Sequence, residues 1–135
     1  MTTVARITYF LSNLENKPGA LLRVMQDLKA KNIALAGLWG VETQEKAGKL
    51  YVVPENPDEL KNAWESAGLL TGEGTGFFIT GENRTGVLNE SLDALANAGV
   101  NIDAIDAIAV GGQFGSYIWV DAADIEKAAR ALRTM

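Results

Sequence analysis

Two short stretches of this 135-residue chain carry residue types that could recognise a small anionic metabolite. They are Glu15-Asn16-Lys17-Pro18-Gly19-Ala20-Leu21 and Glu82-Asn83-Arg84-Thr85-Gly86-Val87-Leu88. In each, an asparagine and a cation precede a glycine, and two apolar residues follow it. Asparagine both donates and accepts, so Asn16, Asn83 and Asn101 could read an α-amino and an α-carboxylate group together. Glycine permits a left-handed turn and lets a ligand approach the backbone closely. Each stretch leads into a candidate helix, whose first N–H groups lack internal partners and whose dipole favours a carboxylate. This is chemistry for binding; it supplies no nucleophile, base or metal ligand.

Composition narrows the field further. The chain has neither cysteine nor histidine. That excludes disulfides, cysteine nucleophiles, the usual zinc sites and imidazole-dependent catalysis. Twelve Lys and Arg face seventeen Asp and Glu, for a net charge of −5, and no basic run occurs. Phosphate tracking needs clustered cations, so no nucleic-acid partner is expected. No apolar run approaches the roughly 18 residues that would span a bilayer, and the N-terminus lacks the pattern of a secretory signal. A soluble cytoplasmic protein without a cofactor is expected, with no membrane partner. With 47% hydrophobic residues the chain has material for a real core. Two further glycine patterns fail as nucleotide motifs. Gly81 to Gly86 has P-loop spacing, but Val87-Leu88 follow where Lys and Ser/Thr are required. Gly72, Gly74 and Gly76 precede a strand rather than a helix.

The elements that must position the two loops are themselves repeated. A shift of 67 positions superposes Phe10 on Phe77, Glu15 on Glu82, Asn16 on Asn83 and Gly19 on Gly86. It also brings Leu21 onto Leu88, Leu28 onto Leu95, Gly48 onto Gly115 and Val53 onto Val120. Toward the end of each copy the offset falls to 65, so that Asn56 answers to Asp121. Such self-similarity marks two copies of one structural unit. The expected division is 1–70 and 71–135.

Each copy reads β-α-β-β-α. In the first, Val4 to Leu14 is a strand, and Leu21, Met25 and Leu28 line one face of a helix. Ile33 to Thr43 and Leu50 to Val53 are strands joined by a hairpin at Glu45 to Gly48. Asn56-Pro57-Asp58-Glu59 starts a second helix, which Gly68 ends. In the second copy, Thr75 to Thr80, Asn101 to Val110 and Tyr117 to Val120 are strands. Leu88, Leu92 and Leu95 mark one helix; Asp121 caps another, with Ile125, Ala128, Ala129 and Leu132 on its face. The alternation of Asn101 to Val110 breaks between Ile102 and Ile105, which calls for a bulge or an irregular start. A fourth strand would close each unit into βαββαβ, a four-stranded antiparallel sheet with both helices on one face. In the first copy it is expected around Leu69 to Thr71. In the second no sequence remains for it, so the N-terminal segment or a second subunit should cover the edge.

The repeated run E-N-[K/R]-x-G-[A/V]-L, followed by an amphipathic helix and by Ala98-Gly99-Val100-Asn101-Ile102, resembles the ACT domain. The resemblance covers nearly the whole chain. It implies an α+β fold of two ferredoxin-like units and a non-catalytic regulatory module that binds a free amino acid or a related small metabolite. It implies a homodimer, a separate metabolic enzyme as partner, and a ligand held at a domain or subunit interface. The ligand-binding residues it implies are Asn16, Lys17, Gly19, Ala20, Leu21, Asn83, Arg84, Gly86, Val87, Leu88 and Asn101. The first copy departs from the family pattern, having Ala34 where the second has Asn101.

Plainer roles compete at each position. Asn16 and Asn83 also suit turns and caps, and Lys17 and Arg84 suit solvated loop charges. Asn32 suits a left-handed helix end. Trp39, Trp64 and Trp119 read as packing residues, and Tyr117 and Trp119 should share a strand face. A ligand-free assembly module is the alternative function. An acylphosphatase-like hydrolase is a weaker one, with Arg84 and Asn101 as its candidate residues.

Overall fold

The computed structural model describes residues 2–42 and 47–133. The elements are β1 (Thr2–Leu14), α1 (Ala20–Ala30), β2 (Leu35–Glu42), β3 (Gly48–Pro54), α2 (Pro57–Ala67), β4 (Gly72–Glu82), α3 (Asn89–Asn97), β5 (Ile102–Val110), β6 (Gln113–Val120) and α4 (Ile125–Leu132). The fold is α+β, of antiparallel strands and helices, as the sequence pattern predicts. The chain forms two compact units, Thr8–Gly74 and Met1–Ile7 with Thr75–Met135.

In the unit Thr8–Gly74 the strands run in the order β2-β3-β1. Phe10 lies opposite Val52 and Ser12 opposite Leu50, so these residues share a face. That face carries the core, where Phe10, Leu50 and Val52 meet Leu28 of α1 and Leu60 and Trp64 of α2. The opposite parity carries Tyr9, Trp39 and Tyr51, and Trp39 stacks on Tyr51 with ring centroids 5.5 Å apart. α2 begins as the sequence predicts. Glu59 N donates to Asn56 Oδ1 at 3.3 Å, Pro57 is the first helical residue, and Gly68 ends the helix in a left-handed turn. Asn32 closes α1 with φ 56°, and Ile33 N donates to Leu28 O beyond it. The hairpin expected at Glu45 to Gly48 lies outside the described residues, apart from Ala47 and Gly48.

Residues Leu69 to Thr71 do not form the short strand expected of them. Leu69 N and Leu70 N both donate back to Trp64 O, so these residues finish the helix instead of starting a sheet edge. Pairing starts at Thr71, whose N and Oγ1 both donate to Leu11 O, at 2.8 and 2.9 Å. β4 then runs unbroken from Gly72 to Glu82. Gly74 and Gly76 leave room for aromatic rings, Tyr9 and Trp119 respectively; a side chain at Gly74 would collide with the Tyr9 ring.

In the other unit the order is β1-β4-β6-β5, with β1 contributing its first residues. Val4 is buried in a core with Phe77, Ile79, Leu95, Phe114, Ile118 and Leu132. Arg6 Nη2 donates to Glu126 Oε1 of α4 at 2.8 Å. The N-terminal segment therefore occupies the edge for which the second copy has no strand of its own. Tyr117 and Trp119 share a face, centroids 5.9 Å apart, and Phe78 stacks on Tyr117 at 4.6 Å. Asp121 does not cap a helix through its side chain. A 3-10 turn, Ala122–Asp124, intervenes, with Asp124 N donating to Asp121 O, and α4 starts only at Ile125.

The irregularity in the second strand of each copy is a register shift, and it falls at matching places. It lies between Leu35 and Gly37 in β2 and between Ile102 and Ala104 in β5. β5 and β6 are joined by Gly111-Gly112, both at positive φ, as a tight two-residue hairpin requires.

Candidate functional site

The first loop turns sharply from strand to helix. Gly19 has φ 85° and is the residue immediately before α1. Only glycine adopts that conformation without strain. Ala20 and Leu21, the next two residues, lie in the helix; Ala20 is buried and Leu21 is exposed. The two polar side chains of this loop are engaged by carboxylates of the same unit. Lys17 Nζ is 2.7 Å from Glu15 Oε2, and Asn16 Nδ2 donates to Glu42 Oε1 at 3.2 Å. The hydrogen bond from Lys17 and its charge hold the Glu15 carboxyl below its usual range.

The second loop keeps the glycine turn and changes what surrounds it. Gly86 has φ 76°. Val87 N donates to Arg84 O and Asn89 N to Gly86 O, so a tight turn occupies the positions where α1 already has helix. Val87 and Leu88 lie in that turn, and α3 starts at Asn89. Among the described residues, the side chains of Asn83 and Arg84 make no hydrogen bond or ion pair.

Beside this loop is a cavity of about 330 Å³. Five of the expected residues line it: Asn83, Arg84, Gly86, Val87 and Leu88. Residues 107–109 of β5, Phe114 of β6 and Asn89 complete the wall. Arg84 is the one ionisable side chain among these residues. The arrangement offers one cation, two asparagine amides and an apolar wall, which suits a small carboxylate with an apolar body. The β5 and β6 residues carried no signal in the sequence. They reach the loop through strand pairing, Ala109 opposite Phe114, which brings distant positions together.

Asn101 does not line this cavity. It is exposed and precedes β5, whereas the cavity touches β5 near its other end. The six residue steps from Asn101 to Ala107 span on the order of 20 Å of extended chain. Arg84 and Asn101 therefore cannot flank one phosphoryl group within this unit, which removes the geometry on which a hydrolase reading depended. No helix among the described residues is long and apolar enough to cross a membrane.

No protein-family model matches the chain, and no curated protein matches it. Solved structures do. Protein BT0572 from Bacteroides thetaiotaomicron is 25% identical, with a TM-score of 0.78 over 98% of this chain and 88% of that one. The regulatory subunit of aspartate kinase from Thermus thermophilus, in its ligand-free form, is 18% identical, with a TM-score of 0.63 over 98% of this chain and 94% of that one. The regulatory subunit of aspartate kinase from Thermus flavus is 17% identical, with a TM-score of 0.58 over the same two shares. These likenesses show the fold, which this chain has in common with regulatory subunits of a metabolic enzyme.

Proposed function

We propose that this chain is a non-catalytic regulatory module of two ACT-like units that binds a free amino acid or a related small metabolite. The ligand sits against the second loop, and a separate metabolic enzyme in the cytoplasm is the target of regulation. The observation that carries this reading is the cavity at Gly86, where the side chains of Asn83 and Arg84 have no partner among the described residues and stand beside an apolar wall. The likeness to regulatory subunits of aspartate kinase supports it. The chain acts as a homodimer whose second copy completes the pocket. β5 both lines the cavity and is the outer strand of its unit, and it exposes Ile105, Ile108 and Val110. Natural proteins rarely leave such an edge open. Ligand bound across that contact favours the assembled arrangement, and this bias is the regulatory signal.

A thermal-shift screen against the twenty amino acids tests the reading. A ligand at one hundred times its dissociation constant adds about 2.7 kcal/mol of stability. For a protein of this size that raises the midpoint by several degrees. A screen with no shift at millimolar ligand counts against the sensor. It would favour the ligand-free assembly module, for which the apolar β5 edge is the specific support.

A further inference from the structure

The repeat alignment pairs Glu42 of β2 with Ala109 of β5, since both lie 67 positions apart like the loops they face. In the first unit Glu42 receives the hydrogen bond of Asn16, and Glu15 neutralises Lys17. In the second unit Ala109 lines the cavity and presents no carboxylate to Asn83 or Arg84. Glu82, the counterpart of Glu15, is still within β4 and paired with Gln113, whereas Glu15 lies beyond the end of β1. Each loop thus has a place for a carboxylate. The first loop fills it from its own chain, and the second does not.

From this we infer that the protein binds one ligand per chain, at the second loop only, and that the ligand is a monocarboxylate with an apolar aliphatic or aromatic body. The inference rests on the reading above and makes it specific. Arg84 takes the carboxylate, as a guanidinium fork does best. Val87, Ile108 and Phe114 receive the apolar body. A basic side chain would add a further cation beyond Arg84 and the α-ammonium, which the α-carboxylate alone would have to balance, since the wall supplies no anion. A second carboxylate would lose water against Val87 and Phe114 without gaining a partner. The same argument covers an amino acid and its 2-oxo analogue, because the carboxylate and the apolar body are common to both.

Titration calorimetry on the intact chain decides the matter, with isoleucine, phenylalanine and 4-methyl-2-oxopentanoate as probes and lysine and aspartate as comparators. The expected result is one equivalent of an apolar monocarboxylate, weakened at least about tenfold by Arg84→Gln and unchanged by Lys17→Gln. The Arg84 side chain has no partner to lose among the described residues, so the variant should fold as the parent does. A second variant, Ala109→Glu, restores in the second unit the carboxylate of the first, and it should abolish binding by occupying Asn83 and Arg84 from within. Tighter binding of lysine or aspartate would overturn the ligand class and leave the sensor standing. Two equivalents per chain, or full affinity in Ala109→Glu, would overturn the division between the loops. Silence from all five probes, together with a blank twenty-amino-acid screen, would bring down the sensor reading and this inference with it.

Discussion

Lys17 and Arg84 hold the same place in the two copies, yet the first is neutralised by its own loop and the second stands beside an empty wall. The backbones that present them are alike. Gly19 and Gly86 both take positive φ, and the strands that follow the helices carry matching bulges. What differs is where two carboxylates fall. Glu15 has left its strand and can fold back on Lys17, while Glu82 is held in the pleat of β4. Glu42 accepts from Asn16, while Ala109 offers no carboxylate to Asn83. A duplicated scaffold can therefore keep its fold and change its chemistry through a strand that ends one residue earlier or later and one side chain on a facing strand.

If the two copies are one scaffold, matched core truncations should cost alike. Phe10 and Phe77 are repeat counterparts and both are fully buried. Phe10→Ala and Phe77→Ala should each destabilise by about 3–5 kcal/mol in denaturant unfolding. A cost at one position several times that at the other would mean that the units carry unequal shares of the stability, and the scaffold would not be shared in energy as it is in shape.

The turn glycines come next in size. Any L-residue at Gly19 or Gly86 adopts a left-handed conformation, which costs about 1–2 kcal/mol. A Cβ at Gly19 meets only the flexible end of Arg23, and one at Gly86 would press on the Asn89 amide at 3.2 Å. Gly19→Ala and Gly86→Ala should therefore lower stability by similar amounts, while only Gly86→Ala weakens ligand. Equal loss of ligand in both variants would erase the functional distinction between the loops.

Much of the scaffold was legible because its signals are local. Asn56, Pro57 and Gly68 fix α2 by capping chemistry alone, and the glycines of the two loops announce their turns. The repeat added what local signals could not, namely that two similar units exist. Leu69 to Thr71 read equally as a helix end or an edge strand, since both draw on the same apolar residues, and the backbone bonds to Trp64 O decide between them. The cavity was half legible. Asn83, Arg84 and Gly86 lie together in sequence, but Ile108, Ala109 and Phe114 reach them through strand register, which no spacing rule reveals. Asn101 entered through the family resemblance, which joins it to the loop of another domain; within its own unit it precedes β5, away from the second-loop cavity.

The smallest predicted effect tests the contrast at its root. The hydrogen bond and charge of Lys17 hold the Glu15 carboxyl below its usual range, and Arg23 adds to this. A carboxyl whose folded pKa is lowered contributes stability that is present above its unfolded pKa and is lost as pH falls through the lowered folded value. Both partners face water, so the contribution is slight and salt-screened. Carboxyl carbon NMR across the acidic range should find Glu15 titrating below an ordinary glutamate, and Lys17→Gln should move it back up. Raising ionic strength to about 1 M, where the screening length is about 3 Å, should narrow the difference without the mutation. A Glu15 with an ordinary titration in the parent protein would mean that the pair does not hold in solution. Lys17 would then be as available as Arg84, and the restriction of ligand to the second loop would rest on Glu42 and Ala109 alone.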